Sequence, residues 1–438
     1  MRAAILSIGD ELTLGQCVDT NSAWLAERLL ARSIETVEHR TVPDDRDAIA
    51  AAVVRLVERC DLLVITGGLG PTDDDLTRQA LGDVLTPGKD LVVDAAAEAE
   101  IRTWFSGRGR HMPPSNLIQA RRPETMRMLP NRHGTAPGMA GTHGNCAIYV
   151  LPGPPREMRP MFERCVVADL PNPAARRCVL TETVHLYGLG ESRAAELLGE
   201  LTARDREPTI GTTASDAIIS ARIRAVGDAD TARTALDDSA AIIEEIWRPY
   251  CFGRGGHSLA EAAGALLRAQ GRTLVTAESC TGGWLGKLIV DVAGSSDYFR
   301  GGWITYANEM KQSCLDVPES LLIEHGAVSE PVARAMAAGA LRHGGADFSL
   351  AISGVAGPGG GGPDKPAGLV YVALGRRATD AAGVIVRRFH FRGDRSVVRD
   401  RAAKSALQML RFALLGVRDD QPLIWETAPE STGQVDGI

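Results

Sequence analysis

The feature of this sequence that most constrains its fold is the alternation of short apolar runs with helical patterns over the first 165 residues. Residues 3–8, 62–66 and 147–151 are apolar runs of strand length, whereas one helical pattern begins at Asn21 and another covers residues 77–85. Strands that alternate with helices favour a parallel sheet with helices on both faces. The sequence therefore predicts an α/β fold, in which residues 1–170 form a doubly wound domain with a parallel sheet.

Two further segments divide the chain. Residues 170–177 (LPNPAARR) have the composition of a linker, and the glycine-rich residues 253–258 (GRGGHS) mark a second boundary. Between them, two strands and two helices predict a small α+β domain over residues 175–252. From 256 to 416 strands and helices alternate again, which predicts a C-terminal α/β domain. The polar, unpatterned residues 417–438 predict a mobile tail.

Composition argues against several classes of protein. No run in the 438 residues approaches the roughly 18 apolar residues of a membrane helix, and the N-terminus becomes polar too early for a signal peptide. A net charge of −7 and 5% aromatic residues disfavour a general nucleic-acid binder, although a local basic patch is compatible with them. Eight cysteines without a CxxC pair suggest neither a disulfide framework nor a zinc knuckle. We therefore expect a cytoplasmic protein that does not associate with membranes.

Three glycine-rich or acidic loops follow the predicted strands of the first domain, at residues 9–12 (GDEL), 67–75 (GGLGPTDDD) and 151–155 (LPGPP). Glycines let backbone N–H groups approach a phosphate, and adjacent carboxylates suit magnesium. Acidic residues in a first helical turn also serve as ordinary caps, so both interpretations are open. The candidate residues of this phosphate or metal loop are Glu11, Gly67, Gly68, Gly70, Thr72, Asp73 and Asp74, with Asp73 and Asp74 as the metal ligands.

The most informative string in the last domain is TAESCTGG, residues 276–283. Ser279 falls at the end of a predicted strand, directly before a glycine turn and a helix. This position exposes a hydroxyl beside free backbone donors, which suits a nucleophile with an oxyanion site. Cys280 competes as the nucleophile, and plain helix capping would explain Thr281.

A nucleophilic serine needs a base, and the chain offers an unusual lysine. Only five of its 48 basic residues are lysine, which favours a role for a retained lysine that arginine cannot perform, because a lysine can lose its proton. Lys311 follows a predicted strand in TYANEMK, residues 305–311, and can act as this base if its surroundings lower its pKa. The alternative is a solvated surface lysine.

Two more segments contain candidate ligand residues. The glycine-rich residues 353–366 (SGVAGPGGGGPDKP) follow a strand that ends at Ser353. A glycine-rich loop of this kind suits a ligand more often than a plain connection. Residues 393–401 (GDRSVVRDR) place Arg395 and Arg399 at a helix start, where an arginine suits a phosphate or carboxylate, or forms a surface ion pair.

These motifs resemble the CinA family of competence/damage-inducible proteins. Residues 7–21, 66–77, 134–138 and 151–158 resemble its N-terminal domain, which is similar to molybdopterin-binding domains of the MoaB/MogA type. Residues 276–283, 305–311, 326–333, 353–361 and 393–395 resemble its C-terminal domain, a nicotinamide-nucleotide amidase. This sequence has PTDDD where the family commonly has PTPDD, and residues 212–225 follow the pattern of the family's middle domain only loosely.

The resemblance implies that the C-terminal domain hydrolyses the amide of nicotinamide mononucleotide, without a cofactor, by a serine–lysine mechanism. The family's serine, tyrosine and lysine fall on Ser279, Tyr306 and Lys311; a hydroxyl position and an arginine fall on Ser353 and Arg395. Further candidate substrate-binding residues in these motifs are Thr281, Gly282, Gly283, Asn308 and Gly357.

For the N-terminal domain the resemblance implies an ADP-ribose pyrophosphatase that depends on magnesium, manganese or cobalt. It also implies a homodimer. Two alternatives are open: the N-terminal domain is a pterin- or nucleotide-binding module without catalysis, or the pyrophosphatase alone is active.

Overall fold

The structure is a computed structural model, and it describes residues 1–170, 178–377 and 383–427. Most of the linker predicted at 170–177 lies outside the described residues. By their contacts, the described residues form two compact units, one of residues 1–180 with 226–233 and one of residues 181–225 with 234–427. No helix in these parts of the chain has both the length and the apolar character that a membrane crossing requires.

The first domain contains a six-stranded sheet in the order β2-β1-β3-β8-β7-β6, and a separate two-stranded ribbon of β4 and β5. Its strands are β1 (Arg2–Ile8), β2 (Glu35–Val42), β3 (Leu62–Thr66), β4 (Val92–Val93), β5 (Arg121–Arg122), β6 (Arg127–Leu129), β7 (Gly138–His143) and β8 (Cys146–Leu151). Its α-helices are α1 (Asp10–Thr13), α2 (Thr20–Leu30), α3 (Arg46–Val57), α4 (Thr77–Leu85), α5 (Ala95–Ser106) and α6 (Pro155–Met161).

The predicted parallel sheet is confirmed for β2, β1, β3 and β8, whereas β7 and β6 pair antiparallel at one edge. Side chains of β1 alternate between two buried clusters, with Ala4 and Leu6 on one face and Ala3 and Ile5 on the other. Both faces are therefore covered, as in doubly wound folds. Because β1, β3 and β8 are parallel neighbours, the loops that follow them meet at one edge of the sheet.

The middle region forms a four-stranded sheet in the order β10-β11-β9-β12. Its elements are β9 (Cys178–Tyr187), α7 (Glu191–Leu198), β10 (Thr209–Ser215), β11 (Ile218–Gly227), α8 (Ala229–Ile246) and β12 (Cys251–Arg254). The sequence predicted two of these strands and both helices, which agrees with an α+β domain. The hairpin partner β10 and the short β12 are polar or brief and give little apolar signal.

The C-terminal domain has a five-stranded sheet in the order β14-β13-β15-β16-β17. Its strands are β13 (Leu274–Glu278), β14 (Phe299–Ile304), β15 (Phe348–Gly354), β16 (Leu369–Arg376) and β17 (Val384–His390). Its helices are α9 (Leu259–Ala269), α10 (Trp284–Val290), α11 (Asn308–Leu315), α12 (Glu319–His325), α13 (Glu330–Gly344) and α14 (Arg395–Leu414).

Strands β14, β13 and β15 are parallel, so the loops after β13, β14 and β15 meet at one edge of this sheet. Helix α13 packs on one face, where small residues such as Ala333 and Ala337 allow a close approach. Helices α14 and α9 pack together, and α14 covers β15 and β16.

The tail predicted over residues 417–438 needs a correction for residues 417–427. Leu423 is buried, and the carbonyl of Pro422 accepts a hydrogen bond of 2.8 Å from the Tyr250 hydroxyl. Trp425 packs edge-on against Phe391, with ring centroids 5.8 Å apart. The few apolar residues in this polar stretch therefore anchor it. Residues 428–438 lie outside the described part of the chain.

Candidate active sites

Ser279 lies directly after β13, with 8% of its surface exposed. Gly282 and Gly283 then adopt positive φ values of 57° and 92°, a conformation that glycine takes at little cost. These two residues turn the chain sharply into α10. The serine is thus presented at the strand end, as its position in the sequence predicts.

Lys311 lies on the first turn of α11 and is 1% exposed. Its Nζ is 3.2 Å from Oγ of Ser279, 2.9 Å from the carbonyl oxygen of Thr305 and 3.2 Å from that of Tyr306. Burial lowers the pKa of Lys311, while Cys280 and Glu309 oppose this shift. The predicted pair is therefore in contact, and the lysine is buried rather than solvated.

An ammonium could donate to all three oxygens, and an uncharged amine fits the same three contacts. A neutral amine has two N–H bonds and one lone pair. The carbonyls of Thr305 and Tyr306 can only accept hydrogen bonds, so they take both N–H groups and leave the lone pair facing the Ser279 hydroxyl. Among the described residues Lys311 forms no ion pair that would favour the charged form. This geometry allows Lys311 to remove the serine proton.

Cys280 does not compete as a nucleophile. It is buried, and burial raises the pKa of its thiol to about 12. The thiolate, which is the reactive form, is therefore scarce near neutral pH.

The backbone donors of residues 279–283 are only partly free. The N–H of Ser279 donates to Ile352, that of Gly282 to the carbonyl of Ser279, and that of Gly283 to the Glu278 carboxylate. In the described part of the chain, the N–H groups of Cys280 and Thr281 have no acceptor in another residue. The N–H groups of Cys280 and Thr281 are therefore the candidate donors to an oxyanion.

A cavity of about 240 Å³ opens beside Ser279. The predicted residues that line it are Ser279, Tyr306, Lys311, Ser353, Gly357 and Arg395. The remaining candidates, Thr281, Gly282, Gly283 and Asn308, do not line it, although the backbone N–H of Thr281 remains a candidate oxyanion donor. Lining residues that the sequence did not single out are Cys280, Ala327, Val328, Gly354, Val355, Ala356, Gly359 and Gly360.

Arg395 spans the mouth of this cavity. Its guanidinium donates to the carbonyl of Gly357 at 2.9 Å and to the hydroxyl of Tyr306 at 3.1 Å. Tyr306 is 62% exposed, and the described residues give Arg395 no carboxylate partner. The second arginine of the predicted pair, Arg399, instead binds the carbonyl of Thr281. Arg395 is therefore the cation available to an anionic ligand.

A second cavity, of about 380 Å³, lies where the loops after β1, β3 and β8 meet. Predicted residues Glu11, Gly67, Gly68, Gly70 and Asp74 line it, whereas Thr72 and Asp73 do not. Of the two predicted metal ligands, the structure thus places Asp74, but not Asp73, at this cavity. Acidic lining residues that the sequence did not single out are Asp44, Asp75 and Glu157.

Several of these acids already have partners. The Asp75 carboxylate accepts hydrogen bonds from the N–H groups of Gly70 and Thr72, at 2.6 and 2.9 Å, and so holds the loop. Glu157 accepts one from Asn131 at 2.8 Å. Burial and the carboxylates of Asp10, Glu11 and Asp74 raise the pKa of Asp44. Asp44 thus lies among other carboxylates of this cavity.

Arg78 holds the same loop by hydrogen bonds to its backbone. The sequence analysis did not identify this residue. It is 1% exposed, and its guanidinium donates to the carbonyls of Leu69 and Gly70, at 2.6 and 3.3 Å. Burial lowers its pKa to about 10. In the sequence, nothing distinguishes this buried arginine from the arginines on exposed helical faces.

Three protein families match successive parts of the chain. Residues 4–172 match the probable molybdopterin binding domain, residues 181–253 the damage-inducible protein CinA KH domain, and residues 256–414 the CinA C-terminal domain.

Full-length relatives match as well. The chain is 42% identical over 429 residues to a putative competence-damage inducible protein of Symbiobacterium thermophilum, covering 96% of this chain and 100% of the relative. It is 40% identical over 417 residues to a CinA-like protein of Geobacter metallireducens, covering 95% and 100%. A crystal structure of a CinA superfamily protein from Klebsiella pneumoniae is 36% identical, covers 36% of this chain and 96% of that chain, and has a TM-score of 0.34.

Proposed function

Because the chain belongs to the CinA family, we propose that its C-terminal domain hydrolyses the carboxamide of nicotinamide mononucleotide to nicotinate mononucleotide and ammonia. The observation that carries this proposal is the buried contact of 3.2 Å between Nζ of Lys311 and Oγ of Ser279. Serine with a buried, unpaired lysine is a nucleophile and base pair that serves amide hydrolysis. The reaction needs no cofactor.

In the proposed first half-reaction, Lys311 takes the proton of the Ser279 hydroxyl while Oγ attacks the carboxamide carbon. The N–H groups of Cys280 and Thr281 stabilise the resulting oxyanion. Lys311 then returns the proton to the amide nitrogen, which leaves as ammonia, and an ester of Ser279 remains.

In the second half-reaction, water attacks the ester while Lys311 takes its proton. The tetrahedral intermediate collapses, Ser279 regains its proton from Lys311, and nicotinate mononucleotide is released. Arg395 holds the phosphate at the mouth of the cavity, exchanging its neutral partners Gly357 and Tyr306 for a charge-assisted contact.

The test is ammonia release from nicotinamide mononucleotide by the full chain, with Ser279→Ala as the variant. Ser313→Ala removes a similar hydroxyl from an exposed position of α11 and is the matched control. We expect activity in the wild type and the control, and none above background in Ser279→Ala. A folded wild type that releases no ammonia would refute the proposal.

For the N-terminal domain we propose a metal-dependent pyrophosphatase that acts on ADP-ribose. Glu11 and Asp74 line the cavity, where their carboxylates can bind a metal ion, while the glycine loop offers backbone N–H groups to a diphosphate. The described residues contain no group of three or more metal-ligating side chains, so the donor set suits magnesium bound by one or two carboxylates and by substrate oxygens. When bound, such an ion neutralises charge on the diphosphate.

The experiment for this domain is AMP release from ADP-ribose with magnesium, manganese or cobalt. Binding of ADP-ribose or a pterin without turnover would favour the alternative of a binding module. Pyrophosphatase activity without ammonia release would favour the alternative in which only the first domain is active.

Three further properties belong to this proposal. We propose a cytoplasmic location, which the eight unpaired cysteines support. We propose a homodimer, which light scattering on the purified chain tests. Nucleic acid is not an expected partner, because the net charge is −7.

A further inference from the structure

The turn that carries the nucleophile, residues 279–283, is held by two side chains outside the cavity, with Arg399 bound to Thr281 and Glu278 bound to Gly283. We infer that Glu278 and Arg399 are positioning residues, which fix this turn so that the N–H of Cys280 points to the oxyanion. The inference rests on the proposed function, because it assigns these residues to the reaction of Ser279.

Glu278 is the last residue of β13 and is 2% exposed. One oxygen of its carboxylate accepts hydrogen bonds of 3.0 Å from the N–H groups of Gly283 and Leu285, and the other accepts one of 2.8 Å from Gly286. In the part of the chain that the structure describes, no cation pairs with it. Burying a carboxylate whose described partners are all backbone N–H groups costs folding free energy. We therefore look for a role of Glu278 in the geometry of the turn.

The Glu278 carboxylate occupies the first-turn N–H groups of α10. These donors are therefore closed to the substrate, and the oxyanion must use N–H groups of the turn itself. The carbonyl of Ser279 accepts from Gly282 at 3.1 Å, inside the turn. Since C=O and N–H point in opposite directions across a trans peptide, the N–H of Cys280 points out of the turn.

Arg399 holds the other side of the turn. Its Nε and Nη2 donate to the carbonyl oxygen of Thr281 at 3.1 and 2.6 Å. Its guanidinium also lies over the ring of Trp284, 5.5 Å from the centroid, and the indole N–H of Trp284 donates to Asp400 at 3.3 Å. Two hydrogen bonds on one carbonyl fix the orientation of that peptide, which a single donor would allow to tilt.

The experiment measures two readouts on the full chain. The first is the pH profile of ammonia release from nicotinamide mononucleotide, and the second is the rate at which a fluorophosphonate probe labels Ser279. The variants are Glu278→Gln and Arg399→Lys, with Glu278→Asp as a second variant that keeps the charge but cannot reach all three N–H groups. Glu309→Gln, on the exposed face of α11, is the contrasting variant, because Glu309 acts on the pKa of Lys311 and not on the turn.

We expect Glu278→Gln and Arg399→Lys to lower kcat about 10- to 100-fold at every pH, with KM changed less than about threefold, because a misdirected oxyanion donor costs part of the 10²–10³-fold effect of a removed one. The midpoint of the pH profile stays in place. Glu309→Gln keeps the maximal rate and moves the midpoint to lower pH, because Glu309 raises the pKa of Lys311. Labelling of Ser279 slows in parallel with kcat.

The outcomes separate the two proposals. Folded variants of Glu278 and Arg399 with wild-type kcat and labelling rates would overturn the positioning role and leave the amidase intact. A wild type that is labelled at Ser279 but releases no ammonia would refute nicotinamide mononucleotide as the substrate. Slower labelling in the variants would then still support the positioning role of Glu278 and Arg399. If Glu278→Gln does not fold, Glu278→Asp and Arg399→Lys decide the question.

Discussion

Replacing Lys311 by methionine tests the central contact of the proposed amidase. Methionine has nearly the length of lysine and is apolar, so it can occupy the same buried path without the amine. The variant removes the group 3.2 Å from Oγ of Ser279 while leaving the serine in place. It therefore separates the base from the nucleophile.

The expected magnitudes follow from the three contacts of Nζ. Loss of a general base lowers kcat about 10²- to 10⁴-fold, equivalent to about 3–5 kcal/mol of transition-state stabilisation. The carbonyls of Thr305 and Tyr306 lose their donors, which costs about 1 kcal/mol of folding free energy each. Removal of a buried amine whose pKa is lowered by burial offsets part of this cost, because the charged form is disfavoured there. The variant is therefore expected to fold.

The pH dependence gives the sharper readout. Because burial lowers the pKa of Lys311 below that of a free lysine, the active neutral form accumulates as pH rises, and kcat/KM increases until it levels off above this pKa. The unfolded chain binds this proton more tightly than the folded one. The contribution of Lys311 to the free energy of unfolding therefore also rises with pH, up to the ordinary lysine pKa.

The assay is ammonia release between pH 6 and 10, together with thermal unfolding over roughly the same range. Lys287→Met, which removes an exposed lysine paired with Asp291 on α10, is the matched control. We expect the control to keep both the rate and the pH profile of the wild type. If folded Lys311→Met keeps more than about a tenth of wild-type kcat with the same rising profile, Lys311 is not the base.

Three further predictions concern single residues at the two sites. Arg395→Lys should raise KM for nicotinamide mononucleotide about 10-fold and change kcat little, because a bidentate phosphate contact becomes a single one; steady-state kinetics check this. Cys280→Ala should keep amidase activity near neutral pH, since burial raises the thiol pKa to about 12, and inactivation would make the thiol part of the reaction. Asp74→Asn should abolish metal-dependent AMP release from ADP-ribose, whereas Asp73→Asn should not, because only Asp74 lines the cavity; equal losses would contradict this geometry.

The main sheets of both large domains could be predicted because their central strands are continuous apolar runs. Residues 62–66 and 349–353 are buried on both faces, and this requirement is visible in sequence. Strand β14 (Phe299–Ile304) is harder to recognise, because it is an edge strand with alternating exposure and its glycines give a weak signal. The polar hairpin of β6 and β7 was missed for a similar reason.

The acids were harder to interpret. Asp74 and Asp75 are neighbours in one loop, yet Asp75 accepts hydrogen bonds from its own loop while Asp74 faces the cavity. Glu278 likewise binds the backbone beyond Ser279. Carboxylates that bind ligands and carboxylates that hold turns both occur beside glycines, because glycine leaves N–H groups accessible in either case. The three-dimensional structure is needed to see which carboxylate oxygens already accept hydrogen bonds from the protein.

The lysines show why composition was informative here. Lys89, Lys287 and Lys404 pair with carboxylates, and Lys365 donates to the carbonyl of His325. An arginine could replace each of these contacts with a charge of the same sign. Lys311 is different, because it is buried, has no described carboxylate partner and faces a hydroxyl. A guanidinium at this position would stay protonated and could not accept the serine proton. A chain that otherwise prefers arginine would therefore have to keep lysine here if Ser279 is to be activated.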